Sequence, residues 1–393
     1  MSRKPSAKNI MLAHSKAKVN FYQSYLERYL SIMSVTRYVD TLNIFDVFCG
    51  RGEYDDGGLG SPIRAVETII KIKKERNSNL RVNLFLNDAQ KKYVERVKSY
   101  IEEHFPDYKK YCNIIFLNYK VGELFGRIYE YVDHTQKNER NFFFIDPYGY
   151  KDISRKLLSR LMSNKRTEIL LFLPISFMHR FRSYAFNEII DTKALPLRLF
   201  TQQFFDIDHP VCQDDAMDVI EYIDAWKEAF SLNQTYYTTS YFIERDARNY
   251  FALFFICNNL LGLEKAVETK WALDGEHGSG FHQEEKKDDG QMDLFAEWLE
   301  QEKSKVRSEN LRLRLMNFLR QRGRSNAEIY TFILRLGYMP KHANALLREW
   351  QNDNVIIVKS CDPSKPVKKG AFYLTYTDSK APLFPRVEIR LAA

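Results

Sequence analysis

Acidic residues recur behind apolar runs in the first part of this chain. Asp46 sits within Ile44-Phe45-Asp46-Val47-Phe48, Asp88 follows Leu84-Phe85-Leu86-Asn87, and Asp146 follows Phe142-Phe143-Phe144-Ile145. The first run breaks at Gly50 and Gly52, and Gly57, Gly58 and Gly60 follow before an apolar-periodic segment from Ile63. Strand, glycine-rich turn and helix form a geometry in which backbone N–H groups approach a nucleotide-like ligand. A tight turn without a ligand has the same composition. A different chemistry would gather Asp46, Glu53, Asp55, Asp56, Asp88 and Asp146 around Mg²⁺, as a metal-dependent nuclease requires. The glycine-rich loop between these acids suits a cofactor better, so no metal ligand is assigned.

The elements that must position these residues alternate. His14 to Met33 has helical periodicity, with His14 and Lys18 one turn apart near its start, placed to lean over the pocket. Strands are expected at Leu42–Phe48, Arg81–Leu86, Asn113–Leu117, Asn141–Ile145 and Glu168–Leu173. Helices between them cover Pro62–Lys74, Ala89–His104, Val121–Val132 and Ser154–Ser163. Such an α/β alternation gives a doubly wound, mainly parallel sheet whose ligands sit beyond the C-terminal strand ends. Asp46 and the glycine turn, Asp88, Asn118, Asp146 and Pro174 then line one crevice. Asp88 is placed to hold ribose hydroxyls, and a cap for the helix after it is the alternative role.

Phe177 to Leu199 reads as helical, Thr201 to Ala216 as irregular, and Met217 to Phe230 as a helix. Thr235–Ile243 and Tyr250–Cys257 read as a hairpin. An antiparallel hairpin closing a parallel sheet is the methyltransferase variant of the fold. Leu261–Trp271 is a helix. Asp274–Gly290 reads as a flexible linker and Met292–Lys305 as a connecting helix. The expected division is 1–275, 276–307 and 308–393.

Charge is uneven. The chain has 393 residues and a formal net charge of +8, yet 301–393 carries 18 Lys/Arg against 8 Asp/Glu. A basic C-terminal module on a near-neutral body suggests a nucleic-acid-facing role, with a solubilising surface as the alternative. Helices at Asn310–Arg322, Ser325–Leu334 and Lys341–Gln351 precede strands at Val355–Lys359 and Ala371–Tyr376 around the basic turn Asp362–Gly370. That order is a winged helix-turn-helix. Candidate contacts to DNA or RNA are Lys341, His342, Asn344 and Arg348 on the third helix, with Lys365, Lys368 and Lys369 on the wing. Protein docking is the other use of such modules.

Five scattered cysteines without a CxxC pattern disfavour a zinc or iron–sulfur site and fit a reducing cytosol. No apolar run approaches the roughly 20 residues that span a bilayer, and the basic residues 1–12 read as a disordered arm rather than a signal peptide. A cytoplasmic location is expected. Oligomeric state is not readable.

The segments FDVFCGRGEY…GSP, LFLNDAQ, FFFIDPYG and EILLFLP, in this order, resemble the three-Cys-motif partner protein family over about residues 10–275. The C-terminal winged helix is similar to one attached to members of that family. The resemblance implies a methyltransferase-like Rossmann fold and association with a three-cysteine-motif protein that looks like a radical SAM enzyme.

S-adenosylmethionine (SAM) needs close backbone approach, an acid for its ribose and a slot for adenine. Gly50 and Gly52, behind Phe48, suit the first, Asp88 the second, and Asn118-Tyr119 the third. Asp46 is placed to hold the cofactor's amino group. Asp146-Pro147-Tyr148 resembles the D-P-P-[YF] motif of amino-methylating nucleic-acid methyltransferases, in which Asp accepts from an exocyclic NH₂ and the ring stacks on a flipped base. The second proline is missing here and the ring comes one residue early, with Tyr150 as a possible substitute. Two functions therefore compete: a SAM-dependent methyltransferase acting on nucleic acid delivered by the winged helix, and a non-catalytic nucleic-acid-binding partner of a radical SAM enzyme.

Overall fold

The structure is a computed structural model that describes residues 10–186, 192–214, 216–246, 249–275, 278–282, 309–380 and 386–392. The chain divides into two compact units. The first runs to Lys265 and regains 280–282, and the second takes Ala266–Ser279 and the chain from 309 onward.

In the first unit the helix α1 (Ala13–Met33) precedes β1 (Thr41–Asp46), α2 (Ser61–Arg76), β2 (Arg81–Asn87), α3 (Lys91–His104), β3 (Asn113–Leu117), α4 (Val121–Asp133), β4 (Glu139–Ile145), α5 (Arg155–Met162) and β5 (Thr167–Leu173). Short helices α6 (Ile175–Arg180), α7 (Arg182–Phe186), α8 (Leu195–Thr201) and α9 (Pro210–Gln213) lead to α10 (Val219–Phe230). The hairpin β6 (Tyr237–Asp246) and β7 (Asn249–Cys257), the helix α11 (Leu260–Leu273) and the two-residue strand β8 (Gly280–Phe281) follow.

The sheet order is β3-β2-β1-β4-β5-β7-β6-β8. β1 lies between β2 and β4, parallel to both, with Asp46 opposite Leu86 and Phe144. β7 runs antiparallel to β5 and β6. This is the α/β sheet of the SAM-methyltransferase type, closed by an antiparallel hairpin. Central parallel strands are covered on both faces, so they are apolar on both faces. On one face Tyr22 of α1 stacks on Phe144 at 4.4 Å and Tyr25 tilts against Phe142 at 5.6 Å. On the other, Phe45 stacks between Phe85 and Phe143 at 4.4 and 4.3 Å. Flat rings on neighbouring strands thus hold the three strand ends that carry Asp46, Asp88 and Asp146 in fixed register.

Two expectations change here. The helix expected over Phe177–Leu199 is broken into α6, α7 and α8, with 187–191 outside the described residues. Pro196 stands in the first turn of α8, where its missing N–H costs no helical hydrogen bond. The linker expected over Asp274–Gly290 contains structure as well. Asp274 accepts from the Ser279 amide at 2.7 Å, and Gly280 and Phe281 pair with Phe242 and Ile243 as an edge strand. The remaining residues of the expected linker and connecting helix, 276–277 and 283–308, lie outside the described residues, as do residues 1–9 of the basic arm.

The second unit contains a helix over 309–321 (α12), β9 (Arg324–Ser325), α13 (Asn326–Arg335), α14 (Pro340–Asn352), β10 (Ile356–Ser360), α15 (Tyr376–Ser379) and β11 (Val387–Leu391). Its sheet order is β10-β11-β9, antiparallel throughout, which with three helices is the order of a winged helix-turn-helix. Ser325 opens α13 with a reciprocal capping box to Glu328. The second wing strand, however, is Val387–Leu391 and not Ala371–Tyr376. Gly370 and Tyr373 both take positive φ, at 80° and 53°, which interrupts an extended run, and Thr375 caps the short α15 instead. The buried Asn326 side chain donates to the Tyr373 carbonyl at 3.2 Å and accepts from the Arg386 amide at 3.0 Å, clasping both ends of the enlarged wing.

Candidate functional site

The glycine turn forms where β1 ends. Gly50 and Gly52 take φ of +62° and +80°, the left-handed region that side chains resist. A Cβ on Gly52 would stand 2.8 Å from Val97 Cγ2 of α3, whereas one on Gly50 would meet no atom within 4 Å. Gly52 therefore serves packing, and Gly50 faces open space. The Gly60 amide donates to the Gly52 carbonyl at 2.6 Å, closing the loop directly before α2.

Asp88 ties this loop to the second strand. Its Oδ2 accepts from the Gly50 amide at 3.2 Å, and its Oδ1 from the Gln90 amide at 2.7 Å. It shapes the turn into α3 without capping that helix, whose flanking residue is Gln90. Each oxygen keeps a further lone pair for a ligand hydroxyl. Asn118 is exposed and donates to the Asp88 carbonyl at 2.8 Å, so the residues expected at ribose and adenine are joined to each other. Phe48 is half-buried and packs on the core under the loop.

Asp46 is fully buried, and neither carboxylate oxygen has a hydrogen-bond partner. Burial pushes its carboxyl up to about 7; Ser61 and the Phe48 amide pull down without closing a hydrogen bond, Asp146 adds to the rise and Lys18 opposes it. A buried carboxyl without partners costs free energy unless something meets it.

Asp146 is itself met by Lys18 of α1 in a mostly buried ion pair. The Lys18 ammonium also lies 4.5 Å from the centroid of the Phe172 ring. One turn earlier, His14 stacks on Phe251 at 5.2 Å. Burial, Arg245 and Lys18 lower the His14 imidazole to about 4, against Asp146 and Asp246, so it is neutral near pH 7. The Met11 amide donates to Asp56 Oδ2 at 3.1 Å. The start of α1 thus spans from the glycine loop to the end of β4.

Pro147 is buried and Tyr148 is 83% exposed. Asp88, Tyr93, Asp146 and Arg51 all lie within electrostatic reach of the Tyr148 hydroxyl. Arg51 donates to the Tyr93 hydroxyl at 3.3 Å. Tyr150 cannot substitute as a free stacking ring, because it is buried between Phe177 and Phe200. The cap of α5 is Ser154, not Asp146. Cys49 is buried, and burial together with Asp46 and Asp88 holds its thiol well above the ordinary range, so it is no nucleophile at neutral pH.

Asp46, Gly50, Asp88, Asn118, Asp146 and Tyr148 accordingly gather at one edge of the sheet. Lys18, Arg51 and Tyr93 join them without having been singled out as site residues from sequence. The one-turn spacing of His14 and Lys18 was the available signal for Lys18. Among the described residues no three of His, Cys, Asp and Glu are arranged to hold a metal ion.

The second unit carries its own candidate surface. Lys341, Asn344 and Arg348 follow helical spacing along one side of α14. The Gly370 amide donates to Gln351 Oε1 at 2.8 Å, and a Cβ on Gly370 would stand 3.6 Å from Arg348 Nε. The exposed Lys368 and Lys369 therefore lie on a loop seated beside Arg348. His342 is drawn inward: its Nδ1 accepts from the Met339 amide at 3.2 Å, and its ring meets Trp271 at 4.2 Å. Lys365 pairs with Asp362 at 3.2 Å.

No protein-family model matches this chain, and no curated protein matches it. Among solved structures, Trm1 from Pyrococcus horikoshii in complex with SAM is 11% identical with a TM-score of 0.37, over 68% of this chain and 61% of that one. This chain thus spans about three fifths of the length of that structure. A putative O-methyltransferase from Klebsiella pneumoniae is 10% identical with a TM-score of 0.30, over 62% and 89% of the two chains. A putative caffeoyl-CoA O-methyltransferase from Staphylococcus aureus is 11% identical with a TM-score of 0.28, over 60% and 82%. Likenesses this distant carry no functional argument. No helix among the described residues is long and apolar enough to cross a membrane.

Proposed function

We propose that this protein is a SAM-dependent methyltransferase of the three-Cys-motif partner type, acting on nucleic acid that its winged helix holds. The observation that carries this reading is a left-handed glycine open to space together with a buried acid that has no hydrogen-bond partner. Gly50 sits in the left-handed region with open space before it, and the buried Asp46 carboxyl at the end of β1 has no hydrogen-bond partner. The set fits SAM: Asp46 would take the α-ammonium group, Gly50 would allow close approach, and Asp88 and Asn118 would hold the ribose and the rim of the adenine slot. SAM supplies an electrophilic methyl group, and the protein's resource is then proximity and orientation. Asp146 would accept a hydrogen bond from the amine of a base once Lys18 yields it, and the exposed Tyr148 offers a ring to stack on that base.

A non-catalytic reading keeps one specific observation in its favour. Lys18 already occupies Asp146, which suits a protein that binds nucleic acid, with or without SAM, and positions it for a separate radical SAM enzyme. Calorimetric titration of the full chain with SAM tests the first reading. Saturable binding at one site is expected, and no heat under conditions where a known methyltransferase binds sinks it. Methyl transfer from labelled SAM to bulk nucleic acid, lost in Asp146→Ala, separates the first reading from the second.

A further inference from the structure

Four aromatic rings form a row that the proposed methyl transfer does not use. The buried Tyr150 stacks on Phe177 at 6.1 Å, Phe177 meets Phe181 at 4.7 Å, and Phe181 meets Tyr184 at 6.1 Å. The inner end is anchored, since Tyr150 also packs on Phe200, which stacks on the buried Trp226 at 5.0 Å. The outer three rings emerge from the surface, at 44%, 41% and 59% exposure. Single exposed apolar side chains are ordinary, but three touching aromatics within eight residues make a patch.

Its place and charge narrow the occupant. α6 begins immediately after Pro174, at the end of β5, the neighbour of the strand that ends in Asp146. Tyr148 precedes Tyr150 by two residues. Residues 175–186, ISFMHRFRSYAF, contain three cationic or ionisable basic side chains (His179, Arg180, Arg182) and no acid. Arg182 turns inward and donates to the carbonyls of His179, Asp214 and Met217, which stiffens the α6–α7 corner. Arg180 stays exposed although it donates to the Ser176 carbonyl at 3.3 Å and to Asn249 Oδ1 at 3.1 Å, and Lys151, beside Tyr150 and flanked by Asp152, is exposed as well. Stiff rings beside cations, with no competing carboxylate in the segment, are what a single strand of nucleic acid requires: ring faces for bases and cations for phosphates.

We propose that Phe177, Phe181 and Tyr184 form a stacking platform for unpaired bases of a nucleic-acid strand, with Arg180 and Lys151 contacting its phosphates. The proposal rests on the nucleic-acid reading above and deepens it: the substrate is single-stranded where it meets the catalytic edge. Stacking selects little among bases, so the platform sets strandedness and not sequence.

The test is anisotropy of a labelled homopyrimidine strand, and of a duplex of the same length, titrated with the full-length protein. The double variant F181A/Y184A, which removes two stacking rings, should bind the single strand at least ~30-fold more weakly and should keep its duplex affinity. Phe181→Trp should retain single-strand binding, which a fold defect in the alanine variant would not explain. Equal single-strand affinity in wild type and F181A/Y184A overturns the platform. So does equal loss of single-strand and duplex binding, or a wild-type protein that self-associates through this patch while its oligonucleotide affinity ignores the substitutions. SAM titration of the same samples reports on the methyltransferase reading separately: absent SAM heat with an intact strand effect would sink that reading and leave the platform standing.

Discussion

Lys18, on the helix that precedes the sheet, forms an ion pair with Asp146 at the end of β4, and the two side chains are only 14% and 21% exposed. The pair bridges 128 residues of sequence, and the same cation opposes the electrostatic rise that Asp146 imposes on Asp46. Removing the cation leaves Asp146 without its partner and Asp46 without the charge that offsets Asp146. Lys18→Met should lower stability by about 2 kcal/mol, the range of a charged hydrogen bond lost from a partly buried site. The double variant K18M/D146N should recover most of that loss. Urea unfolding of the single and double variants gives the coupling directly, and additive losses would show that the pair is not coupled.

The pH response follows from Asp46. Its folded carboxyl is raised to about 7, above the ordinary value of 3.8, so between these limits the folded state holds a proton that the unfolded state has released. Stability conferred by that proton is present at low pH and is lost as pH rises toward 7. His14, lowered to about 4, works in the opposite direction below its ordinary 6.5, because the unfolded state then binds the extra proton. The two effects offset in the wild type. Asp46→Asn removes one of them, so its melting temperature relative to wild type should climb from pH 5 to pH 7.5. A constant difference across that range would refute a raised Asp46.

If the α-ammonium of SAM settles on Asp46, binding must use the carboxylate. At pH 6 the free protein should then release a proton on binding. The calorimetric enthalpy should depend on the ionisation heat of the buffer, and the dependence should vanish in Asp46→Asn. Buffer-independent enthalpy in the wild type would place the ammonium elsewhere.

The two loop glycines should separate stability from binding. Gly50→Ala incurs only the left-handed backbone cost, on the order of 1–2 kcal/mol, because its Cβ meets nothing. Gly52→Ala adds a contact with Val97 Cγ2 at 2.8 Å and should be the more destabilising. SAM affinity should fall more in Gly50→Ala, measured at a temperature where both variants are folded. The reverse order would make the open face of Gly50 irrelevant to the ligand.

On the winged helix, Lys368 and Lys369 are exposed on the loop beside Arg348. K368A/K369A should weaken duplex binding uniformly across sequences and reduce the slope of log K against log salt by about 2. An unchanged slope would remove the wing from the phosphate contacts.

The architecture was legible where local pattern and tertiary structure agree. Phe142–Ile145 could be placed because a strand buried on both faces must be apolar on both faces, and the β6–β7 hairpin because two apolar runs flank a short polar turn. The acids at the ends of β1, β2 and β4 were legible for the same reason. What escaped depended on distant partners. Nothing near Lys18 announces Asp146, and nothing near Asp46 announces that its oxygens stay unpaired. The second wing strand is not legible, because Ala371–Tyr376 has strand-like composition, while the positive φ of Gly370 and Tyr373 and the clasp from Asn326 are set by tertiary contacts. Gly280 and Phe281 were hidden in a glycine-rich, charged stretch that looks like a linker.

That last segment bears on how the protein can be dissected. The chain leaves the first unit within α11, returns to add β8 to the edge of its sheet, and leaves again. Trp271, late in α11, donates its indole N–H to the Gly337 carbonyl of the winged-helix unit at 2.9 Å. A cut at residue 308 therefore strips Trp271 of its acceptor, and a cut at 265 takes β8 from β6. The two units are interleaved along the gene, so single-residue substitution rather than truncation is the sound way to assign work to either one.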